Sequence, residues 1–201
     1  MAIVDKAGVI PKVAAGEKVA LELGCGNAKR HPEALGVDCL DFPPVDLVGD
    51  VFEVLGALPA GSVTAVYTYH FLEHVADLTR LLQELARLVQ PAGSLEVVVP
   101  HFSNPYYYSD PTHVRPFGLY SFSYLAQTRL FKRGVPTYGM RHDFVLEDVT
   151  LQFDSPFFVR KIIRRLLGPL FNMSRWLQEF HEENLCYVLP AYQIRFVLRR
   201  I

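Results

Sequence analysis

Apolar positions along the chain follow two periods, and the change between them predicts alternating strands and helices. Short apolar runs rich in β-branched residues are typical of buried strands, and five of them occupy residues 18–23, 36–39, 46–50, 62–69 and 94–100. Before the fifth run, apolar residues recur every three or four positions with charged residues between them, which predicts an amphipathic helix. Its apolar positions are Leu78, Leu81, Leu82, Leu85, Leu88 and Val89, and Pro91 and Gly93 follow as stop signals.

The pattern changes after Pro100. Residues 101–117 (HFSNPYYYSDPTHVRPF) are dense in Pro, Tyr and His and show no period, and so long an irregular loop inside a domain is usually functional. Residues 119–130 are predicted to return to helix, and residues 143–153 and 192–199 to form two closing strands. Strands that alternate with helices imply crossover connections and a mainly parallel sheet.

Composition narrows the class of protein. The 201 residues suit one domain, half of them are hydrophobic, and the formal net charge is −1. The basic surface of a nucleic-acid-binding protein is not indicated, so no nucleic-acid partner is expected. Cys25, Cys39 and Cys186 are too few for a disulfide framework or a zinc site. The N-terminus makes a poor signal peptide and no apolar run would span a bilayer, so we expect a cytoplasmic protein.

A candidate nucleotide site lies where the predicted strands end. The first strand ends in Gly24-Cys25-Gly26, and glycine lets the backbone approach a ligand because it lacks Cβ and tolerates positive φ. Asp38 ends the second strand, where its carboxylate can accept hydrogen bonds from ribose hydroxyls. Asp50 ends the third strand, where its carboxylate can accept a hydrogen bond from an adenine amino group. Taken singly, Gly-x-Gly is often only a turn and such acids are often helix caps. Three such strand ends in succession favour a ligand site.

These segments resemble a known family. LELGCGN, GVD, LVGDV, YTYHFLEHV and LVQPAGSLEVVVP stand in the order of the motifs of class I S-adenosylmethionine-dependent methyltransferases, and the resemblance runs from about residue 19 to residue 100. It implies an α/β fold, a Rossmann-like three-layer sandwich with a seven-stranded, mostly parallel sheet whose last strand is antiparallel. Ala28 and Ala92 stand where many members have glycine.

The resemblance also implies S-adenosyl-L-methionine as the cofactor. The two glycines would lie under its methionine moiety, Asp38 at its ribose, and Asp50 and Val51 at its adenine. The full set of candidate cofactor-binding residues is Glu22, Gly24, Cys25, Gly26, Asp38, Asp50, Val51, Tyr69 and His70. A nicotinamide cofactor is the competing interpretation, but its fingerprint needs Gly-x-Gly-x-x-Gly, and Lys29 occupies the third glycine position.

Histidines supply the candidate bases. The methyl group of the cofactor is already activated, so the enzyme must align the nucleophile and, for a hydroxyl, remove its proton, a task suited to histidine. His113 is the first candidate, supported by Asp110 or Arg115; His101 is the second and His70 the third. In the alternative interpretation His113 ties the loop to the sheet, and Arg115 pairs with Asp110.

Neighbouring residues have more open roles. Glu73 and His74 are interpreted as capping or orienting the next helix. His101, Asp110, His113, His142 and Asp143 are of metal-ligand types, but they show no compact pair of histidines on one helix, so no metal is expected. Four aromatic residues either stack on a sugar or flank the sulfonium, or they pack in the core. They are Phe102, Tyr106, Tyr107 and Tyr108.

Residues 157–171 form a basic amphipathic stretch. Its apolar side is Phe158, Val159, Ile162, Ile163, Leu166 and Leu167, and its basic side is Arg160, Lys161, Arg164 and Arg165. Such a helix docks its apolar side on the sheet, lies on an anionic membrane, or binds a phosphate-bearing substrate. Of these we expect docking on the sheet. Gly168-Pro169 is expected to end or kink the helix.

Together these patterns predict one methyltransferase domain over residues 1–201, with a substrate loop at about 101–117 and a basic helical insertion at about 156–180. The segment DPTHVRPF resembles the substrate loop of methyltransferases that modify sugars or polysaccharides, which implies O-methylation of a sugar, glycan or other small molecule. Methylation of a nitrogen or lipid-like acceptor, and a cofactor-binding partner subunit without turnover, are the alternatives. Peripheral contact with the inner face of a membrane is a further expectation, and the sequence does not indicate the oligomeric state.

Overall fold

An eight-stranded sheet lies at the centre of the computed structural model, which describes residues 2–138 and 143–201. The strands are β1 (Val4–Asp5), β2 (Val19–Leu23), β3 (Leu35–Asp38), β4 (Leu47–Val48), β5 (Val63–Tyr69), β6 (Val89–Pro100), β7 (Phe144–Gln152) and β8 (Gln193–Arg200). The five apolar runs and the two closing strands predicted from the sequence are therefore all present.

The strands lie in the order β1-β4-β3-β2-β5-β6-β8-β7. The segment from β4 to β6 is parallel, whereas β8 runs antiparallel to both of its neighbours and β1 antiparallel to β4. The predicted fold class is confirmed, with eight strands instead of seven because β1 adds a two-residue edge strand too short to show a period. The carboxyl ends of β2 and β5 flank the point where the strand order reverses, which is where open α/β sheets bind ligands.

Five α-helices connect and cover the strands in the described part of the chain. They are α1 (Val9–Ala14), α2 (Val51–Ala57), α3 (Leu78–Leu88), α4 (Phe158–Phe171) and α5 (Arg175–Asn184). Single 3-10 turns occur at Leu72–His74, Tyr107–Ser109 and Ser121–Ser123. Apolar side chains of α1, α2 and α3 join those of the strands in one hydrophobic core.

The helix predicted around residue 80 is confirmed as α3. Its apolar positions are buried against the sheet, and Asp77 begins it by accepting the N–H of Arg80 at 2.9 Å. The helix ends at Leu88 because β6 starts at the next residue, so Pro91 and Gly93 lie within that strand.

The helix predicted for residues 119–130 is wrong. This segment contains only the 3-10 turn at Ser121–Ser123, and the N–H of Gln127 donates to the carbonyl of Phe144 at 2.8 Å. Phe122 is fully buried between Phe117 and Phe196. Burial of this ring and pairing with β7 therefore determine the local backbone. The pairing uses the backbone N–H of Gln127, which a helix would need for its own hydrogen bonds.

The basic stretch is helical, but it differs from expectation in two respects. Helix α4 continues through Gly168 and Pro169 to Phe171 instead of ending there, because a proline in the last turn removes few helical hydrogen bonds. A second helix, α5, extends the insertion to Asn184.

Only the C-terminal end of the apolar side of α4 docks on the core, through Leu167 and Phe171; the rest of that side does not dock as expected. Phe158 is 76% exposed and Leu166 73% exposed, and within α4 only Gly168 and Phe171 are buried. Across the residues that the structure describes, no helix has the length and apolar character needed to cross a bilayer.

Candidate active site

The turn after β2 places two glycines at the switch point of the sheet. Gly24 and Gly26 have φ values of +66° and +58°, which residues with a side chain rarely adopt. A Cβ on Gly24 would lie 2.6 Å from the ring of Phe71, whereas a Cβ on Gly26 would meet nothing within 4 Å. The turn thus needs glycine at the first position and has open space beside its backbone at the second.

Glu22 fixes the loop that follows this turn. Its side chain is 2% exposed, and its carboxylate accepts the N–H of Arg30 at 3.0 Å and that of His31 at 2.8 Å. These backbone donors satisfy a charge that would otherwise be costly to bury. Burial, with Asp38 and Glu22 nearby, raises the pKa of Cys25 to about 11, so its thiol is neutral and unreactive at neutral pH.

Asp38 and Asp50 both lie at strand ends, as predicted. Asp38 accepts the N–H of Gly26 and the N–H of Leu40, each at 2.9 Å. Asp50 is the N-cap of α2 and accepts the N–H of Phe52 at 2.9 Å. The helix-cap interpretation therefore holds for Asp50, whereas Asp38 joins the ends of β2 and β3.

Tyr69 ends β5 within a polar cluster. Its hydroxyl donates to Glu96 at 3.2 Å and lies 2.8 Å from Nε2 of His31, and the guanidinium of Arg30 lies 4.2 Å from its ring centroid. Burial and the charge of Glu96 raise the pKa of Tyr69 to about 12, so the phenol stays protonated. The cluster connects β5 to the loop that Glu22 holds.

His70 follows Tyr69 directly, with an unusual backbone φ of +54°. Its ring Nε2 lies 2.9 Å from Oε1 of Gln193, whose own amide nitrogen donates to Gln152. Because that amide oxygen can only accept, His70 donates from Nε2. Its Nδ1 lies 3.5 Å from a carboxylate oxygen of Glu73, and the side chain is 35% exposed. The ring is thus oriented by two partners and still open to a ligand.

His113 lies in the irregular loop after β6, packed against the segment after β5. Its Nδ1 donates to the carbonyl of Tyr107 at 2.8 Å, its Nε2 lies 3.6 Å from Asp110, and its side chain is 10% exposed. The ring also stacks on Tyr107 and meets the ring of His74 edge-on, with centroids 4.8 Å apart in both cases. His113 faces Asp110, but its hydrogen bond to Tyr107 lies within the loop and does not tie the loop to the sheet.

Asp110 and Arg115 make separate contacts. Asp110 accepts from the hydroxyl of Thr112 at 2.6 Å and from its N–H at 2.9 Å, and these hydrogen bonds lower the pKa of Asp110. Arg115 donates from Nη2 to the carbonyl of Ala76 at 2.5 Å. Arg115 therefore anchors the DPTHVR segment to the chain after β5, whereas Asp110 closes a turn within the segment.

His101 is fully buried and both of its ring nitrogens have partners. Nδ1 accepts the N–H of Ser103 at 3.2 Å, and Nε2 lies 3.0 Å from Glu182 of α5. The same carboxylate accepts the N–H of Leu119 at 2.7 Å. This geometry favours a structural role for His101, which joins the start of the loop to α5.

The aromatic residues of the loop divide into two groups. Tyr107 is buried, whereas Tyr106 and Tyr108 are 46% and 69% exposed. Among the metal-ligand types noted in the sequence, His142 lies outside the described residues, and Asp143 precedes β7 at the opposite edge of the sheet, with its carboxylate 3.8 Å from Arg200.

The expectation that Glu73 caps the next helix is wrong, because Asp77 caps α3. Glu73 is 0% exposed, and neither of its carboxylate oxygens has a hydrogen-bond partner among the described residues. The sequence does carry a signal for the contact between Glu73 and His70: His70 and His74 are four residues apart, with Glu73 between them. No sequence motif marks Gln193, the partner of His70, because it reaches the site only through the pairing of β6 with β8 that places it beside Pro100.

Comparison with known proteins indicates the class of protein to which this geometry corresponds. Residues 21–97 match the family described as a methyltransferase domain. A search of curated proteins finds no match.

Several solved structures share the fold. A SAM-dependent methyltransferase from Archaeoglobus fulgidus has 17% sequence identity and a TM-score of 0.58, covering 96% of this chain and 93% of the other. A putative methyltransferase from Bacillus halodurans has 13% identity and a TM-score of 0.56, covering 96% and 97%. Phosphoethanolamine N-methyltransferase 2 from Haemonchus contortus, in complex with phosphomonomethylethanolamine and S-adenosylhomocysteine, has 13% identity and a TM-score of 0.52, covering 96% and 53%.

The sheet order and the glycine turn at the switch point are those of an open α/β fold, and residues 21–97 within it match a methyltransferase domain. The matched segment contains the glycine turn, Asp38 and His70, and the fold is that of solved SAM-dependent methyltransferases, so S-adenosyl-L-methionine is the candidate cofactor for this site. The turn fits this cofactor, because the space beside Gly26 is open and the half-exposed carboxylate of Asp38 lies next to it.

Proposed function

We propose that the protein methylates a hydroxyl of a sugar, glycan or other small acceptor that binds between His70 and residues 101–117. The observation that carries this proposal is the position of His70, at the carboxyl end of β5 beside the switch point, with a ring that is oriented and partly exposed. Both the cofactor and the acceptor must meet at this edge of the sheet, because the strand ends converge there.

The proposed cofactor contacts come from the strand ends. Gly24 and Gly26 would lie under the methionine moiety, Asp38 at the ribose hydroxyls, and Asp50 and Val51 at the adenine. Glu22 and Cys25 would act through the shape of the turn, since both are buried. Tyr69 would border the site through its ring, because its hydroxyl is already bound.

The acceptor must be aligned and lose a proton, and S-adenosylmethionine supplies an activated methyl group when it is bound. We assign proton removal to His70, which changes the order of candidates derived from the sequence. Its Nδ1 faces the buried carboxylate of Glu73 at 3.5 Å, so an imidazolium formed there would be stabilised by an opposite charge. His113 is more enclosed, and His101 is buried with both nitrogens engaged.

Screening with methyl-labelled cofactor tests the acceptor class. We expect label transfer to a component of sugar-nucleotide or glycan pools, with the label stable to conditions that cleave esters. Transfer only to amines or to lipid extracts would replace hydroxyl methylation by the nitrogen or lipid alternative. Binding of S-adenosylhomocysteine without transfer to any pool would favour a partner subunit without turnover.

We further propose that the chain is one methyltransferase domain acting in the cytoplasm, on the anionic inner face of a membrane. Exposed apolar residues of α4 support this, together with Arg160, Lys161, Arg164 and Arg165 on the same helix. Asp154 pairs with Lys161 and Arg165, which leaves a surplus of positive charge. Helix α4 follows the carboxyl end of β7, so the surface lies at the same edge of the sheet as His70.

A further inference from the structure

Glu73 is a buried carboxylate whose charge is not balanced by hydrogen bonds. Its side chain is 0% exposed, and neither oxygen has a hydrogen-bond partner in the part of the chain that the structure describes. Nδ1 of His70 lies 3.5 Å from one of these oxygens. Arg115 donates from Nη2 to the carbonyl of Ala76, and its buried Nε has no hydrogen-bond partner among the described residues. Buried charges in proteins are normally paired or coordinate a metal.

Two imidazoles lie beside this carboxylate. One ligand atom from each of Glu73, His74 and His113 lies within 4.8 Å of the other two. The residues come from two segments, the 3-10 turn after β5 and the loop after β6, which are joined by the hydrogen bond from Val114 N–H to Glu73 O at 2.8 Å. Small side-chain rotations would bring the three atoms to the spacing found around an ion with ligands at about 2 Å.

The hydrogen bonds of the two histidines determine which ring nitrogens are free. Nδ1 of His113 donates to the carbonyl of Tyr107, so Nε2, which lies 3.6 Å from Asp110, is the ring nitrogen that can bind a metal. The hydroxyl of Thr112 donates to Asp110 at 2.6 Å, so at 2.9 Å it accepts from Nδ1 of His74. In both rings Nδ1 is thus engaged, and Nε2 is the nitrogen available as a metal ligand. Metal-binding histidines characteristically donate their other N–H to such acceptors, which fixes the tautomer.

We propose that Glu73, His74 and His113 form a binding site for a divalent transition-metal ion of the zinc type. Two neutral imidazoles and a carboxylate suit zinc and similar borderline ions better than magnesium or calcium. Three protein ligands leave a coordination position open, as in zinc sites that bind a water or a substrate atom. The ion would balance the buried charge of Glu73 and fix the loop beside His70; the relevance of this loop to the acceptor rests on the proposed function.

Zinc titration of metal-free protein tests the site. The protein is treated with EDTA, dialysed and titrated with Zn²⁺ by calorimetry, in a Cys39→Ser background because Cys39 is an exposed thiol that can capture zinc. We expect one ion per chain and a rise in the melting temperature. Glu73→Gln and His74→Gln should each weaken binding by about 100-fold, since a ligand is lost and even outer-shell changes weaken sites about 10–100-fold.

Matched controls separate this site from adventitious binding. His31→Ala removes a partly exposed histidine that also lies near a carboxylate, Glu33, at 3.3 Å, and should leave zinc affinity unchanged. His74 is exposed, so His74→Gln should fold even if Glu73→Gln does not. Equal zinc affinity in the wild type and in His74→Gln would overturn the inference.

Titration of the same samples with S-adenosylhomocysteine keeps the two proposals distinguishable. His74 is not among the proposed cofactor contacts, so His74→Gln should bind S-adenosylhomocysteine as the wild type does. Zinc binding lost with cofactor binding retained confirms the metal site. Cofactor binding and methyl transfer without any specific zinc site would leave the proposed function standing and reject the metal.

Discussion

The carboxylate of Asp38 accepts the backbone N–H of Gly26 at 2.9 Å, so the end of β3 holds the glycine turn at the end of β2. Asp38 thereby connects the two adjacent strand ends where the cofactor is proposed to bind. Its side chain is only partly buried, which leaves carboxylate surface for ribose hydroxyls.

Replacing this carboxylate should weaken cofactor binding. Asp38→Ala removes both the proposed hydroxyl contacts and the support of the turn, and we expect a loss of roughly 1–3 kcal/mol in the affinity for S-adenosylhomocysteine. Calorimetric titration measures it. Asp41→Ala is the matched control, because Asp41 is 70% exposed and pairs with Lys6. Equal affinity for the wild type and Asp38→Ala would show that the ribose lies elsewhere.

Ala92 is held in a backbone conformation that suits glycine. Its φ is +63°, and a residue with a Cβ is destabilised there by about 1–2 kcal/mol. Ala92→Gly should relieve this strain, partly offset by the greater entropy of glycine in the unfolded chain, and raise the free energy of unfolding by about 0.5–1 kcal/mol. Denaturant unfolding measures the change. Ala57→Gly, within α2, should destabilise instead; a loss of stability in both variants would refute strain at Ala92.

His181 should make the fold sensitive to acid. Burial lowers the pKa of His181 despite its hydrogen bond to the carbonyl of Leu189 at 2.8 Å, and its buried Nδ1 has no partner among the described residues. The unfolded chain therefore binds a proton at a pH where the folded chain does not. Stability is complete above the unfolded pKa of about 6.5, and it falls as the pH drops from there towards the lower folded pKa.

Urea unfolding between about pH 8 and about pH 5 measures this dependence. His181→Gln should show a flatter profile, because the titrating group is gone while an amide donor remains for Leu189. His31→Gln serves as control, since His31 is partly exposed. Parallel loss of stability in the wild type and His181→Gln would assign the acid sensitivity to other groups.

Features set by local sequence were predictable. The apolar runs, the helix at Leu78–Leu88 and the strand-end positions of Gly24 and Asp38 depend on residues within one element and its flanks, so their periods and turn residues are sufficient. The resemblance carried by the ordered motifs added a mostly parallel sheet whose last strand is antiparallel.

Features that depend on distant partners were not predictable. The segment 119–130 has helical spacing, but Gln127 pairs with β7 and Phe122 fills the core. The orientation of His70 depends on Gln193, which is 123 residues away. The hydrophobic spacing of α4 was correctly read as a helix, but spacing alone does not tell whether an apolar side meets a sheet or solvent.

The exposed apolar side of α4 should bind anionic membranes. Phe158 and Leu166 are 76% and 73% exposed, and basic residues beside them favour anionic lipid. Co-sedimentation with vesicles containing phosphatidylserine should fall with added salt, and it should fall further in a Phe158→Ser/Leu166→Ser variant. Tyr138→Ser is the control, because Tyr138 is 77% exposed and lies outside the insertion. Equal recovery with neutral and anionic vesicles would reject membrane contact.

Three histidine variants distinguish the candidate bases. A positioned base contributes about 10²–10⁴-fold to the rate, so His70→Ala should lower kcat by that order. His101→Ala should mainly lower the melting temperature, because it removes buried contacts to Ser103 and Glu182. A kcat loss of this size in His113→Ala, together with normal turnover in His70→Ala, would restore the base first predicted from the sequence. Normal turnover in all three would mean that the acceptor loses its proton without a histidine, and that alignment by the site accounts for the rate.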